Sequence, residues 1–310
     1  MTAMSVAYFS PPACAAFNPG RSHPEVPERL ASIDDHLISL RLRELLVEGE
    51  APPASDEQLL RVHSQEYIDM LSACEPGEGV VSLDPDTWLV AGIGEAARHA
   101  AGAVVGAVDM VMAGKVNRAF CAVRPPGHHA ERARAMGFCL FNNVAVGAAH
   151  ALARHRLKRI AIVDFDAHWG NGTDAIFLDE KRVGVFASFQ EHLFPPQEAM
   201  QVPGRIVNRG LGAGAKGREV RQVWHDELLP ALDAFRPQLL FISAGFDGHR
   251  EDEMSELMLN EEDYAWLTER IAHVAGKHAR GRIVSVLEGG YALSALGRSV
   301  AAHVRALLEG

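Results

Sequence analysis

Cysteine is scarce in this chain: Cys14, Cys74, Cys121 and Cys139 are the only thiols in 310 residues, and no two of them form a CxxC pair. Neither a disulfide framework nor a thiolate zinc knot is indicated, so reduced thiols are expected. Positive charge is also short. The 30 Lys and Arg are outnumbered by 40 Asp and Glu, giving a formal net charge of -10 and a pI near 5.8. That balance argues against general affinity for nucleic acid or an anionic membrane, both of which need a basic surface. Long apolar runs are missing as well: the longest candidate, Ala100 to Ala113, is interrupted by Asp109 and is too short to span a bilayer. Met1 to Phe17 holds no Lys or Arg and carries Pro11 and Pro12, unlike a signal peptide, so a cytoplasmic location is expected. No internal repeat or low-complexity tract is visible.

What is present suits a soluble globular protein, with 48% hydrophobic and 23% charged residues. Neither composition nor charge shifts sharply, and residues 1–310 read as a single domain. Apolar runs suited to buried strands occur at Ser5–Phe9, Arg118–Val123, Ile160–Val163, Val183–Phe189, Leu239–Ile242 and Ile283–Leu287. Helices are expected at Glu28–Val47, from Asp56, at Thr87–Gly114, Val144–Arg156, Ala175–Leu178, Arg218–Phe235 and Glu261–His278, and at the C-terminus. This alternation predicts an α/β fold with a parallel sheet covered by helices on both faces.

Ligands of such sheets bind beyond the carboxyl ends of the strands. There, Ile160–Val163 runs straight into Asp164-Phe165-Asp166-Ala167-His168-Trp169-Gly170-Asn171-Gly172-Thr173. With a side-chain period of two, Asp164, Asp166 and His168 point to one side while the backbone stays extended, and carboxylates with a neutral imidazole suit zinc. Alone, this motif reads as readily as a solvated loop. Its company decides: Arg124-Pro125-Pro126-Gly127-His128-His129, Ser243 to Asp247 and Glu288-Gly289-Gly290-Tyr291 each follow another apolar run, so one shared site is expected.

Within it, Asp166, His168 and Asp247 form a three-ligand metal set that leaves room for water and a substrate oxygen. Asp164 orients a histidine through its ring N–H. One of His128 and His129 can take a proton from the attacking water and return it to a leaving amine, while Tyr291 can donate its O–H to a developing oxyanion. The inventory fits metal-assisted amide hydrolysis. A competing motif, Gly212-Ala213-Gly214-Ala215-Lys216-Gly217, has dinucleotide-binding spacing, but Ile206-Val207 before it is too short for the required strand. Pro203–Gly217 is therefore read as a loop.

As a set these residues resemble the histone deacetylase family, which includes acetylpolyamine amidohydrolases and bacterial deacetylase-like enzymes. The resemblance runs from His23-Pro24-Glu25-Val26-Pro27-Glu28-Arg29 through Arg124–His129, Gly137-Phe138-Cys139, Asn142-Asn143, Asp164–Thr173 and Ser243–Asp247 to Leu287–Tyr291. It implies an arginase/deacetylase-like three-layer fold around a central, mostly parallel eight-stranded sheet, one zinc ion per chain, and removal of an acetyl or similar acyl group from an amine. Asp166, His168 and Asp247 match the zinc ligands, His129 the general base and acid, His128 its electrostatic partner and Tyr291 the catalytic tyrosine. Gly137, Phe138 and Met254 match the substrate tunnel, with Arg29 near a cavity beneath the metal. Asp164, Asp166, His168 and Ser188 correspond to a structural monovalent-cation site, usually potassium.

Three positions depart from one branch or another. Asn171 stands where an aspartate backs the second histidine, so His129 has an amide partner and should be less basic. Trp169 replaces a histidine after the ligand. Met254, with Glu253 beside it, falls where a polyamine-selective member carries an acid. The resemblance thus implies a zinc-dependent amidohydrolase for an acyl-lysine peptide or other small acylated amine, with an acetylpolyamine amidohydrolase as the alternative. A non-catalytic acyl-amine binding module is a third reading, against which Tyr291 and the His pair speak. Gly170, where a two-manganese ureohydrolase would supply a bridging acid, favours a single metal. Neither nucleic acid nor membrane is an expected partner, and homo-oligomer formation is compatible with the chain.

Overall fold

The computed structural model describes residues 4–20 and 22–310. In chain order the elements are β1 (Val6–Phe9), α1 (Ala13–Ala16), α2 (Glu28–Ser39), β2 (Val47–Gly49), α3 (Asp56–Leu59), α4 (Gln65–Cys74), β3 (Val81–Ser82), β4 (Trp88–Leu89), α5 (Ile93–Met112), β5 (Arg118–Cys121), α6 (Asn143–His155), β6 (Ile160–Asp164), α7 (Asn171–Phe177), β7 (Val183–Gln190), β8 (Ile206–Leu211), α8 (Gly217–Val223), α9 (Leu229–Phe235), β9 (Leu239–Ala244), α10 (Glu261–His278), β10 (Ile283–Leu287) and α11 (Leu293–Glu309).

Eight strands form one sheet in the order β2-β1-β5-β10-β9-β6-β7-β8, and every pairing is parallel. All residues of β1, β5, β6, β9 and β10 are buried, as a parallel sheet covered on both faces requires. One covering group is α5 packed on α6; another is α2, α11 and α10 packed in sequence. The small residues of α5 let it lie close, while Val104, Val108 and Val111 are buried, each contributing roughly 1.5–3 kcal/mol if its side chain is fully removed from water.

The six apolar runs are the six inner strands, and the two edges escaped the pattern. The three residues of β2 are mostly exposed, and β8 carries Asn208 and Arg209 in its middle. An edge strand need not be apolar on both faces, so its sequence loses the continuous hydrophobic signal. The helix expected to reach Val47 stops at Ser39. Arg41 adopts a left-handed φ of 57°, the Leu42 amide donates to the Leu37 carbonyl at 2.9 Å, and the chain turns without the glycine that usually marks such an end. Thr87 begins no helix either: Trp88–Leu89 pairs with Val81–Ser82, and α5 starts after Gly92, whose φ is 85°. Arg218–Phe235 is broken by a wide π-helical turn at Trp224–Leu228, just before Pro230, which has no N–H to donate back along the helix.

The loop assigned to Pro203–Gly217 thus contains a strand, and the stated objection to a dinucleotide site fails. A different obstacle stands in its place. A Cβ at Gly217 would lie 1.9 Å from Oδ1 of Asp263, so an acidic side chain already fills the start of α8 where a phosphate would need to sit.

Candidate active site

Four motif-bearing strands are neighbours in the sheet, in the order β5-β10-β9-β6, and deliver their loops to one rim. The convergence after β6 does not come from an extended backbone. The strand ends at Asp164; the Asp166 amide then donates to Asp164 Oδ1 at 3.0 Å and the His168 amide to Asp166 Oδ1 at 2.8 Å. These two Asx turns send Asp164 toward His128 and bring Asp166 and His168 to Asp247.

The facing donor atoms of Asp166, His168 and Asp247 lie within 4.8 Å of one another. His168 Nδ1 is 3.1 Å from Asp166 Oδ1 and 2.9 Å from Asp247 Oδ2. The remaining oxygens are engaged by backbone: Ala167 N–H donates to Asp247 Oδ1 and Gly289 N–H to Asp166 Oδ2, both at 2.9 Å. Glycine is required beside them, since a Cβ at Gly245 would sit 1.9 Å from Asp166 Oδ2 and one at Gly289 2.3 Å from Asp247 Oδ2. Burial disfavours charge on His168, yet Asp247 and Asp166 push its imidazole up to about 10. Two buried carboxylates face one imidazole there, and two oxygens with one imidazole nitrogen are a donor set that fits a divalent zinc.

The adjacent histidines differ in environment. His128 Nδ1 lies 3.0 Å from Asp164 Oδ2, and although burial opposes it, Asp166 and Asp164 drive this imidazole up to about 10. His129 Nδ1 lies 2.8 Å from Asn171 Oδ1. The Asn171 amide nitrogen is committed to Glu131 Oε1 at 3.0 Å, so its oxygen must accept from His129 Nδ1–H, leaving Nε2 with its lone pair. Burial first, then the neighbouring His128 and His168, hold His129 well below its ordinary value. The two rings are thus held in opposite directions, His129 toward its neutral form and His128 toward its protonated one. The lowered basicity was expected from the amide partner, but its cause is burial and the two neighbouring imidazoles; the Asn171 hydrogen bond itself works the other way.

A cavity of about 90 Å³ opens onto this cluster, lined by His128, His129, Asp166, His168 and Tyr291 and walled by Gly137, Phe138, Phe194 and Met254. Gly137 must be glycine, because a Cβ there would lie 2.4 Å from His129 Cδ2. The Phe138 and Tyr291 rings meet edge to face at 5.7 Å, and the His129 and Phe194 rings at 5.1 Å. Met254 lines the cavity, whereas Glu253 is exposed. Arg29 does not line it. It is fully buried behind the tyrosine turn, its guanidinium 4.8 Å from the Tyr291 ring centroid. Ser188 sits on β7 next to Ala187, the ladder partner of Asp164, and its hydroxyl accepts the Trp224 indole N–H at 2.9 Å. Trp169 is buried and donates to Asp174 Oδ2 at 2.7 Å.

Sequence reading missed three participants. Glu288 is fully buried; its Oε2 accepts the amides of Gly127 and His128 at 2.7 and 3.1 Å, tying the His-pair loop to β10. Phe194 and Asp86 also line the cavity: Phe194 lies in the loop that follows β7 and Asp86 in the turn between β3 and β4, and neither residue type carries a metal or acid-base signal that sets it apart from its neighbours. Among the described residues a second group, Asp109, His150 and His155, also gathers metal-type donors. There Arg61 donates to His150 Nδ1 at 3.0 Å, which puts the ring proton on Nε2 facing Asp109, so that imidazole acts as a hydrogen-bond donor rather than a ligand. No helix among the described residues is long and apolar enough to cross a membrane.

Comparison with known proteins gives a consistent result. Residues 23–307 match the histone deacetylase domain. A Type-2 histone deacetylase 2 of Dictyostelium discoideum is 44% identical over 85% of this chain, which spans only 17% of that protein. A histone deacetylase-like amidohydrolase of Pseudomonas aeruginosa is 37% identical, over 92% of this chain and 75% of that one. A polyamine deacetylase HDAC10 of Mus musculus is 38% identical over 92% of this chain and 45% of its own length. The crystal structure of the HDA15 HD domain superposes with a TM-score of 0.90 at 29% identity, covering 98% of this chain and 90% of that one.

Proposed function

Because this chain belongs to the histone deacetylase family, we propose that it is a zinc-dependent amidohydrolase that removes an acetyl or similar acyl group from an acyl-lysine-like amine. One observation carries the reading: a three-ligand cluster, a neutral histidine with a free Nε2 and a tyrosine hydroxyl share one cavity. Asp166, His168 and Asp247 would hold the ion, and a bound zinc supplies Lewis acidity and makes water acidic enough to be deprotonated near neutral pH. His129 Nε2 accepts that proton and passes it to the leaving amine; Asn171 and Glu131 keep the ring in the tautomer this needs. His128, cationic against Asp164, offsets negative charge as the carbonyl is attacked. Tyr291 donates its hydroxyl to the developing oxyanion, and burial holds its pKa well above the ordinary phenol value, so the proton is present. Phe138 and Phe194 fit an apolar methylene stem between aromatic walls.

The acetylpolyamine alternative has its own support, because Asp86 lines the same cavity and one relative is named a polyamine deacetylase. The apolar Met254 weighs toward an acyl-lysine peptide or other small amide. Comparing kcat/KM for an acetyl-lysine peptide and an N-acetylated polyamine separates the two. Potassium is assigned by family resemblance to Asp164, Asp166, His168 and Ser188. Four free cysteines support a reducing, cytoplasmic setting, and a site drawing on residues from His128 to Tyr291 supports treating 1–310 as one catalytic domain.

The test is turnover of acylated lysine peptides, polyamines and small metabolites by zinc-loaded protein and by Tyr291→Phe. The variant should keep its zinc and fold while kcat falls by about 100-fold or more, the scale of one lost oxyanion donor. Near-normal rates in the variant would remove the tyrosine from the mechanism. Stoichiometric zinc with no turnover of any substrate would point instead to a binding module.

A further inference from the structure

The turn carrying Tyr291 is held from two sides. On one, Arg29 Nε donates to the Gly290 carbonyl at 2.7 Å. On the other stands Asp252, which no step above uses. Its Oδ2 accepts the backbone N–H groups of Tyr291 and Ala292 at 2.6 and 2.9 Å, and its Oδ1 accepts that of Met254 at 3.0 Å. Asp252 is only 6% exposed, so these donors have little water to turn to if the carboxylate is lost. An ionised carboxylate accepts at both oxygens; an amide of the same shape accepts at one and presents donors at the other.

The placement of the three amides gives this anchor its meaning. Tyr291 and Met254 both line the substrate cavity, and they reach it from different loops. Gly289 and Gly290 precede the tyrosine, with Gly290 at φ 121°, so the turn has little stiffness of its own and its anchors set where the phenol points. One buried carboxylate therefore fastens the oxyanion donor and a tunnel wall to each other.

We propose that Asp252 is a positioning residue that locks the Tyr291 turn to the Met254 wall, so that the two hold or loosen together. Its consequence for turnover rests on the hydrolase reading above; its consequence for the backbone does not. Without the carboxylate, the phenol strays from the position in which it meets the transition state, which lowers kcat. The freed Met254 wall weakens substrate capture, which raises KM.

Amide hydrogen exchange on zinc-loaded protein tests the lock without any substrate. In Asp252→Asn, the amides of residues 254, 291 and 292 should all exchange at least about tenfold faster, the scale of one lost charge-assisted hydrogen bond, while those of β6 stay unchanged. A change confined to one loop, or to neither, overturns the proposal. On an accepted substrate, Asp252→Asn should lower kcat by about tenfold or more in the otherwise native protein but by less than about twofold in a Tyr291→Phe background, because the two losses share one hydroxyl. Equal factors in both backgrounds mean that Asp252 does not act through the tyrosine. Failure of the native enzyme on every substrate counts against the hydrolase reading and leaves exchange to judge the lock. If Asp252→Asn does not fold, Asp252→Ser replaces it, and if that fails too, the native protein decides: residues 254, 291 and 292 must open with one common free energy, and separate openings refute the coupling.

Discussion

Replacing Gly245 by alanine should destroy zinc binding without altering any group that touches the ion. Gly245 follows the last residue of β9, and its φ lies outside the left-handed region, so alanine adds no backbone strain. The added methyl would sit 1.9 Å from Asp166 Oδ2, where ordinary contact begins near 3.4 Å, so about 1.5 Å must be found. Asp166 has no free space to give. Its Oδ2 is held by the Gly289 amide and its Oδ1 by the His168 amide, so either both bonds break or the end of β9 shifts, and Asp247 with it.

Metal-ligand distances tolerate about 0.2 Å, far less than that displacement. Even outer-shell disturbances cost about 10- to 100-fold in affinity, so the expected loss is at least about 100-fold. The assay is zinc stoichiometry by elemental analysis after exhaustive dialysis, with a competing chelator to give the dissociation constant. Unfolding with and without zinc adds a second reading, since the native protein should gain thermal stability from the ion and Gly245→Ala should not. Stoichiometric zinc at unchanged affinity in the variant would mean that Asp166 is not a ligand.

Two further outcomes follow from the same geometry. If Asp247 is a ligand, Asp247→Ala should weaken zinc by more than about 100-fold, read by the same chelator competition; full retention of the ion means the ligand set is wrong. Acid should destabilise the protein through His63, whose Nδ1 meets the Glu131 carbonyl at 3.0 Å and whose Nε2 accepts the Asn142 amide at 3.0 Å. Burial pulls this imidazole from 6.5 down to about 4. A proton on Nε2 would face an N–H, so the unfolded chain binds it first: the stability is complete above pH 6.5, falls below it, and is lost down to about pH 4. Two and a half pK units amount to about 3 kcal/mol. Urea midpoints at pH 7 and pH 5 should therefore separate more in the native protein than in His63→Gln, and equal separations would refute the assignment.

The inner sheet was legible because burial on both faces makes most of its residues apolar, so β1, β5, β6, β7, β9 and β10 appear as apolar runs despite a few buried polar side chains such as Arg118 and Ser285. The edges were not, for the same reason inverted. Each has only one neighbouring strand, so β2 exposes Val47 and Glu48 and β8 accommodates Asn208 and Arg209. Helix ends failed where the backbone supplied the signal: Arg41 takes the left-handed position of the α2 terminus, and nothing in an arginine announces that.

The site divides along a similar line. Asp166, His168 and Asp247, the His pair and Tyr291 stood out because each follows a buried strand, and the structure does bring them to one rim. Glu288 and Asp252 were not singled out, although both lie in or beside the quoted motifs, because they serve backbone amides rather than side chains. A carboxylate that accepts from Gly127 and His128, or from Tyr291, Ala292 and Met254, has partners whose identity leaves no mark in the sequence, since every residue but proline offers the same N–H. Asp166 turns one oxygen toward His168 and holds Gly289 with the other, and the glycines at 245 and 289 leave the room this needs. The precision of such a site therefore resides in buried acids that bind main chain, and substitutions there should disturb catalysis by moving groups they never touch.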